Sequence, residues 1–123
     1  MRATSLWHSF QCAFTGLWYL LHTQRNARIH LVIAILIVPA GIFCQLVVIE
    51  WAILMLSIGI VITAEALNTA IETLVDLASP ELHPLAAKAK DVAAAAVLLS
   101  AVTALIVGAI VLGPPLWRIL CPV

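Results

Sequence analysis

The sequence has few charged residues: 10% of its 123 residues are charged, 64% are hydrophobic, and the formal net charge is zero. Globular domains carry about 25% charged and about 45–50% apolar residues, so this composition is typical of a membrane protein. The sequence has no basic run, which argues against a nucleic-acid partner. Its three cysteines, Cys12, Cys44 and Cys121, form no CxxC pair, which argues against disulfides and a structural zinc site.

Common catalytic motifs are absent as well. The sequence contains neither a GxxxxGK[ST] phosphate loop nor a GxGxxG dinucleotide fingerprint, and neither HExxH nor GxSxG occurs. Its five glycines are dispersed along the chain. None of these motifs therefore assigns a reaction to the chain.

Three long apolar stretches predict transmembrane helices at about residues 29–48, 51–77 and 90–113. Residues 5–24 keep apolar side chains at helical spacing with polar residues on other faces, which is typical of an amphipathic helix lying at a membrane surface. Ser5 is the expected N-cap of that helix. The sequence thus predicts an all-α membrane protein in which residues 1–123 form a single domain.

The boundaries of these helices rest on local signals. Glu50 beside Trp51 marks the first hairpin, although the turn could also start at Gln45. Gly113, followed by two prolines, is the expected end of the last helix.

The basic residues predict the orientation of the chain. Five of the six lysines and arginines precede the first span or lie between the second and third: Arg2, Arg25, Arg28, Lys88 and Lys90. The C-terminal segment has only Arg118, and the first hairpin has none. Since basic residues favour the cytoplasmic side, we expect the N-terminus and the loop at about residues 77–91 to be cytoplasmic.

Four polar residues share one face of the second predicted span. Glu65, Asn68, Glu72 and Asp76 follow one another at offsets of three, seven and eleven residues, within an arc of roughly 80° on a helix. An ionisable group at membrane depth costs about 2.5 kcal/mol or more, so this acidic stripe suggests a cation, a partner helix or a reaction. Oxygen ligands in a row favour Mg²⁺ or Ca²⁺ over Zn²⁺, and Mg²⁺ is typically held by one or two carboxylates plus substrate phosphates. Glu65 would then be free to accept a proton from a hydroxyl.

The following loop supplies a second polar set: Glu81, His83, Lys88, Lys90 and Asp91. By itself this set suggests a solvated loop, but Lys90 near a carboxylate-bound metal would complete a phosphate site. Arg28 and His30, before the first span, are either interfacial anchors or substrate contacts.

The segment from Glu65 to Glu72, Glu-Ala-Leu-Asn-Thr-Ala-Ile-Glu, together with Asp76 and the later Ala-Lys90-Asp91, resembles the signature of the prokaryotic integral-membrane diacylglycerol and undecaprenol kinases. The upstream Asn-Ala-Arg-Ile-His at 26–30 and the Phe10 to Gly16 pattern are similar to the N-terminal region of the same family. The resemblance covers roughly residues 9–112. The segments at 26–30 and from His83 to Ala86 look more like the undecaprenol kinase branch.

This resemblance implies a surface helix and three transmembrane helices per subunit, a homotrimer, and active sites at the cytoplasmic face of the prokaryotic inner membrane. It implies phosphoryl transfer from ATP, with Mg²⁺, to a membrane lipid alcohol, either undecaprenol or diacylglycerol. By matched position Glu65 would be the general base. The other implied roles are Glu72 and Gln24 for Mg²⁺; Cys12, Glu72, Asp76, Glu81, His83, Lys90 and Asp91 for ATP; and Arg28, Asn68 and Glu65 for the lipid.

Two positions depart from the family pattern. Members carry a glutamate where this chain has Gln24, and a neutral amide offers Mg²⁺ an oxygen but no charge. Cys12 stands where members often have tyrosine. The alternative functions are a small oligomeric cation channel or ion-coupled carrier lined by the acidic stripe, and an assembly protein that uses the stripe as an interhelical hydrogen-bond network.

Overall fold

The structure is a computed structural model that describes residues 5–123; residues 1–4, including Arg2 of the orientation prediction, lie outside the described residues. It contains helices α1 (Leu6–Thr23), α2 (Arg25–Phe43), α3 (Val48–Ala78) and α4 (Pro84–Leu120). Helices α2, α3 and α4 are each long and apolar enough to cross a membrane. The prediction of an all-α membrane protein with three spanning helices is therefore confirmed.

Helix α1 begins where the sequence predicted. The Ser5 side chain accepts a hydrogen bond from the backbone N–H of His8 at 3.3 Å, which confirms Ser5 as the N-cap. Leu20 is the one residue of α1 that is buried in the chain, so the other apolar side chains of this helix are at least partly uncovered. The location of α1 at the membrane surface stays a prediction.

A single residue, Gln24, joins α1 to α2. Its backbone is extended, with φ −109° and ψ 113°, and its N–H donates to the carbonyl of Leu20 at 2.9 Å. Arg28, one turn into α2, donates from Nη1 to the carbonyls of Leu21 and His22, both at 3.0 Å. Because these carbonyls lie in the last turn of α1, Arg28 fastens the end of α1 to the start of α2.

The turn between α2 and α3 lies at Gln45, the earlier of the two positions considered from the sequence. Gln45 has φ 54°, and its N–H donates to the Ile42 carbonyl at 3.1 Å, while the Leu46 N–H donates to the Gly41 carbonyl at 3.2 Å. This pair of bonds is a Schellman motif, which ends a helix with one left-handed residue. This motif was hard to predict from the sequence because its left-handed residue is glutamine rather than the usual glycine.

Glu50 was wrong as the turn residue and lies instead in the first turn of α3. Its Oε2 accepts the backbone N–H of Val47 at 2.9 Å, which satisfies one of the free donors at the helix start. The next residue, Trp51, packs against the backbone of Gly41 in α2. A polar cap and an aromatic contact thus explain the two residues that had suggested a membrane boundary.

Helix α4 begins at Pro84, with His83 as its N-cap. The Nδ1 atom of His83 accepts the backbone N–H of Leu85 at 3.1 Å. Proline is favoured in the first turn of a helix because the N–H that it lacks would have no partner there. The helix therefore starts earlier than the apolar stretch that predicted the span.

The predicted end of the last helix at Gly113 is wrong, since α4 continues through Pro114 and Pro115 to Leu120. No glycine among residues 5–123 has a positive φ, so Gly113 does not form a left-handed cap. Each proline removes one helical hydrogen bond, a loss that membrane helices tolerate when neighbouring groups take up the freed carbonyl.

Helices α3 and α4 form the most extensive contact, α2 packs on α3, and α1 touches both α2 and α3. Few side chains among the described residues are buried inside the chain: Leu20, Ala27 and Cys44, then Leu54, Val61, Glu65 and Thr69 of α3, and Ala93, Val97 and Val111 of α4. Most aliphatic side chains of the three long helices remain exposed. A membrane, or other subunits, must therefore cover these faces.

Candidate active site

The acidic stripe runs along α3 from a buried end to an exposed end. Glu65 is 2% exposed, Asn68 and Glu72 are half-buried, and the side chain of Asp76 is 66% exposed. The offset of eleven residues between the two ends corresponds to about 16 Å along the helix axis. The stripe thus joins a dehydrated carboxylate to a solvent-accessible one. The sequence alone could not tell which of its carboxylates is buried.

Glu65 lies where α3 meets α2. Its Oε1 is 3.3 Å from Nε2 of His30, and this oxygen has no hydrogen-bond donor among residues 5–123. Its backbone carbonyl accepts the hydroxyl of Thr69 at 2.9 Å. A buried carboxylate oxygen without a donor is costly, so this atom is available to a neighbouring side chain or a substrate hydroxyl.

Asn68 and Glu72 form the middle of the stripe. Asn68 donates from Nδ2 to Oε1 of Glu72 at 3.3 Å, and this bond directs the amide oxygen of Asn68 away from the carboxylate. That oxygen, Oδ1, is also buried without a donor in the described part of the chain. Two oxygen-bearing side chains are thus held together one turn apart, and both are the hard ligands that Mg²⁺ takes.

At the exposed end Asp76 forms an ion pair with Lys90 of α4. This pair bridges the loop that joins α3 to α4. Glu81, His83 and Asp91 lie on the same loop or in the first turns of α4, and all three are exposed. The predicted phosphate-binding residues are therefore close in the chain and accessible to water, and the Asp76–Lys90 contact joins them to the stripe.

The site residues predicted on α1 are less closely associated. Cys12 is exposed, with Sγ 3.6 Å from Nε2 of His8. Gln24 is half-buried at the junction of α1 and α2. No hydrogen bond or ion pair between described residues links either side chain to the acidic stripe. Arg28, predicted to contact lipid, donates hydrogen bonds to backbone carbonyls at the end of α1.

An apolar groove of about 470 Å³ lies between α2, α3 and α4. Aliphatic and small side chains line most of it, including Ile33, Val61, Ala104 and Leu105, and His30 is its one ionisable lining residue. This volume lies within the range of about 300–1,000 Å³ that is typical of small-ligand sites. The groove thus borders the residue that contacts Glu65.

The sequence did not predict the contact between His30 and Glu65. A signal was present, because α2 and α3 are joined by a tight turn and therefore run antiparallel. His30 lies about 13 residues before the end of α2 and Glu65 about 17 after the start of α3, rises of about 20 and about 26 Å. Counting helical rise from the turn would have placed the two residues within about one helical turn of each other in depth.

Together these groups provide a buried proton acceptor, a middle section of oxygen ligands and an outer end with a lysine. No cluster of three or more His, Cys, Asp or Glu side chains suited to a metal ion occurs within residues 5–123. Mg²⁺ needs only one or two carboxylates when phosphate oxygens and water complete its shell. The arrangement is suited to phosphoryl transfer, which depends on positioning and charge neutralisation.

The sequence profile of the family described as "Prokaryotic diacylglycerol kinase" matches residues 11–112. This range includes α2, α3 and most of α1 and α4, and it contains every predicted site residue.

Individual relatives match over lengths that range from about half of the chain to most of it. "Undecaprenol kinase" of Bacillus subtilis is 43% identical over 108 residues, covering 88% of each chain. "Diacylglycerol kinase" of Synechocystis sp. is 44% identical over 115 residues, which are 93% of this chain and 66% of the relative. "Diacylglycerol kinase" of Escherichia coli K12 is 42% identical over 60 residues, 49% of each chain.

Proposed function

We propose a reaction for this chain, which belongs to the prokaryotic diacylglycerol kinase family. It is a lipid kinase, and we infer that it transfers the γ-phosphoryl group of ATP to the hydroxyl of a membrane lipid alcohol. The observation that carries the proposal is the buried Glu65 carboxylate, whose Oε1 has no hydrogen-bond donor in the described chain, at the inner end of a stripe whose outer end pairs with Lys90.

Glu65 acts as the general base in this proposal. The acceptor hydroxyl gives its proton to the Glu65 carboxylate while its oxygen forms a bond to the γ-phosphorus. The bond between that phosphorus and the β–γ bridging oxygen breaks, and ADP leaves. Glu65 afterwards returns the proton to water. Burial keeps water from competing with the lipid hydroxyl for the phosphoryl group.

The middle of the stripe fits Mg²⁺. The fit rests on the buried Oδ1 of Asn68, which lacks a donor, and on the Glu72 carboxylate beside it. Glu72 would hold the ion, with Asn68 oriented by its hydrogen bond, and Gln24 could add a neutral oxygen from α1. When bound, Mg²⁺ neutralises the charge of the β- and γ-phosphates.

The outer end binds the nucleotide in this proposal. Lys90 leaves its partner Asp76 to contact phosphate, and the exposed side chains of Glu81, His83 and Asp91 face the rest of ATP. Exposure supports this assignment because ATP arrives from water. Cys12, on α1, would contact the nucleotide through packing rather than through a strong hydrogen bond.

The acceptor lies on the membrane side. Its hydrocarbon chain would lie along the apolar groove between α2, α3 and α4, with its hydroxyl near Glu65 and Asn68. Arg28 would attract the polar end of the lipid with the guanidinium donors that do not bond α1. Undecaprenol is the first acceptor to test, because the relative that matches 88% of both chains is named for it.

The enzyme is proposed to be a homotrimer whose N-terminus and active site face the cytoplasm of a prokaryotic cell. Two observations support this. The three spans bury little of their surface within one chain, and Lys88 and Lys90 lie beside the loop that carries the nucleotide residues. Family membership favours this enzyme over the cation channel or carrier considered from the sequence.

The test is phosphoryl transfer from radiolabelled ATP in mixed micelles, with undecaprenol and diacylglycerol offered separately. We expect Glu65→Gln to lower kcat by about 10²- to 10⁴-fold, because a general base contributes that much. Thr69→Val is the matched control, since it alters a buried polar neighbour on the same helix. Labelling of neither alcohol by the parent enzyme would contradict the proposed function, and full activity of Glu65→Gln would contradict the base assignment.

A further inference from the structure

The contact between His30 and Glu65 joins two helices at the most buried charge of the described chain. Glu65 is 2% exposed and the His30 side chain 21% exposed, and their Nε2 and Oε1 atoms lie 3.3 Å apart. His30 also lines the apolar groove between α2, α3 and α4. Its imidazole therefore lies between the groove and the carboxylate.

The chemistry of the pair determines which atom carries the proton. An ionised carboxylate can only accept hydrogen bonds, so an attractive contact requires a proton on Nε2 of His30. The separation is longer than the about 2.7–2.9 Å of a formed charge-assisted bond, and Oε1 has no other donor among residues 5–123. Contacts of this kind often tighten only when substrate is bound.

We propose that His30 is a positioning residue for Glu65, an inference that rests on the proposed function. Its Nε2–H donates to Oε1 and fixes the plane of the carboxylate, so that Oε2 receives the proton of the lipid hydroxyl. The donor comes from α2, whereas the carboxylate and the metal-binding side chains are on α3. Docking of α2 on α3 therefore aligns the base, independently of nucleotide binding.

This role predicts a specific kinetic pattern. Removing the donor leaves the carboxylate in place but free to rotate, which slows the chemical step. ATP binding is unaffected, because Glu72 lies seven residues along α3 from Glu65, about 10 Å of helical rise. Misplacement of a reacting group by about 1 Å can cost about 10²-fold, so we expect His30→Leu to lose about 10- to 100-fold in kcat.

The experiment compares three substitutions at His30 in the full-length enzyme. Leucine removes the donor. Glutamine places an amide N–H about as far from the backbone as Nε2 of histidine, whereas the amide N–H of asparagine is one bond closer to the backbone and should not reach Glu65. We expect glutamine to recover most of kcat, and leucine and asparagine to remain at least about tenfold below it. The KM for ATP should stay within about twofold of the parent value in all three variants, since only orientation is lost.

His22→Leu is the matched control, because His22 is an exposed histidine on α1 with no part in the proposed site. Circular dichroism and size-exclusion chromatography report whether each variant is folded. If the leucine variant does not fold, the comparison of glutamine with asparagine carries the test.

Three results would overturn the inference: full kcat in the leucine variant, no recovery with glutamine, or a change confined to the KM for ATP. These outcomes are distinct from failure of the proposed function, in which the parent enzyme itself phosphorylates neither alcohol. Inactivity of Glu65→Gln combined with full activity of His30→Leu would leave the function intact and remove only the role of His30.

Discussion

The packing of Trp51 on Gly41 allows a quantitative test of how α2 docks on α3. A methyl group added at Gly41 would lie 2.5 Å from Cη2 and 2.7 Å from Cζ2 of Trp51, and 3.1 Å from Cδ1 of Leu46. Carbon atoms pack best at about 3.5–4.0 Å, so the indole would have to withdraw by about 1 Å. The substitution Gly41→Ala therefore overpacks the first hairpin.

Two opposing terms determine the change in stability. Overpacking typically costs about 1–3 kcal/mol. Alanine gains about 0.8–1.0 kcal/mol over glycine in a helix interior. The control Gly59→Ala, in α3, takes the same helical gain, and an added methyl there has nothing within 4 Å. We expect Gly41→Ala to be less stable than Gly59→Ala by about 1–3 kcal/mol, the overpacking cost alone.

The assay is denaturant unfolding in detergent micelles, followed by circular dichroism and compared at equal detergent concentration. Trp51→Leu in the Gly41→Ala background should restore part of the lost stability, because the shorter side chain vacates the space that the methyl needs. Equal stability of the two alanine variants would refute this account of the hairpin. The account would also be refuted if the stability loss of the double variant equalled the sum of the losses of Trp51→Leu and Gly41→Ala measured separately.

Two further predictions concern the proposed site. Glu72→Gln should raise the Mg²⁺ concentration for half-maximal activity by about tenfold or more, because a charged ligand is lost. Glu50→Gln, which keeps its capping oxygen, is the control. An unchanged Mg²⁺ titration in Glu72→Gln would contradict the role of Glu72 as a ligand. Lys90→Gln should raise the KM for ATP by about tenfold while leaving the KM for the lipid alcohol unchanged, because a charge-assisted phosphate contact is lost. The exposed Lys88→Gln serves as its control, and an equal effect of both substitutions would reduce Lys90 to a general electrostatic contribution.

Much of the fold could be predicted because the bilayer simplifies the problem. Long apolar stretches must be helices in lipid, where every backbone group needs an internal partner. The starts and ends of these helices were harder to predict. Gln45 adopts a left-handed conformation usually taken by glycine, and α4 runs through Pro114 and Pro115, residues that normally end helices. Neighbouring structure overrode local preference at both places.

The candidate site divides in the same way. The periodicity of Glu65, Asn68, Glu72 and Asp76 placed them on one face of one helix, and that placement follows from chain geometry alone. Which of them is buried depended on neighbouring helices, and burial is what separates Glu65 from the exposed Asp76. The roles of these residues stay predictions until the kinetic tests are made.

The sequence by itself determined the membrane class, the three apolar helices, the acidic face of α3 and the family, because composition and helical spacing are local properties of the chain. Only the tertiary structure brought His30 of α2 to Glu65 and Lys90 of α4 to Asp76. Both contacts join residues that are distant along the chain. Their formation depends on how antiparallel helices align around their turns, and a shift of one residue in a turn rotates a side chain by about 100° on the helix.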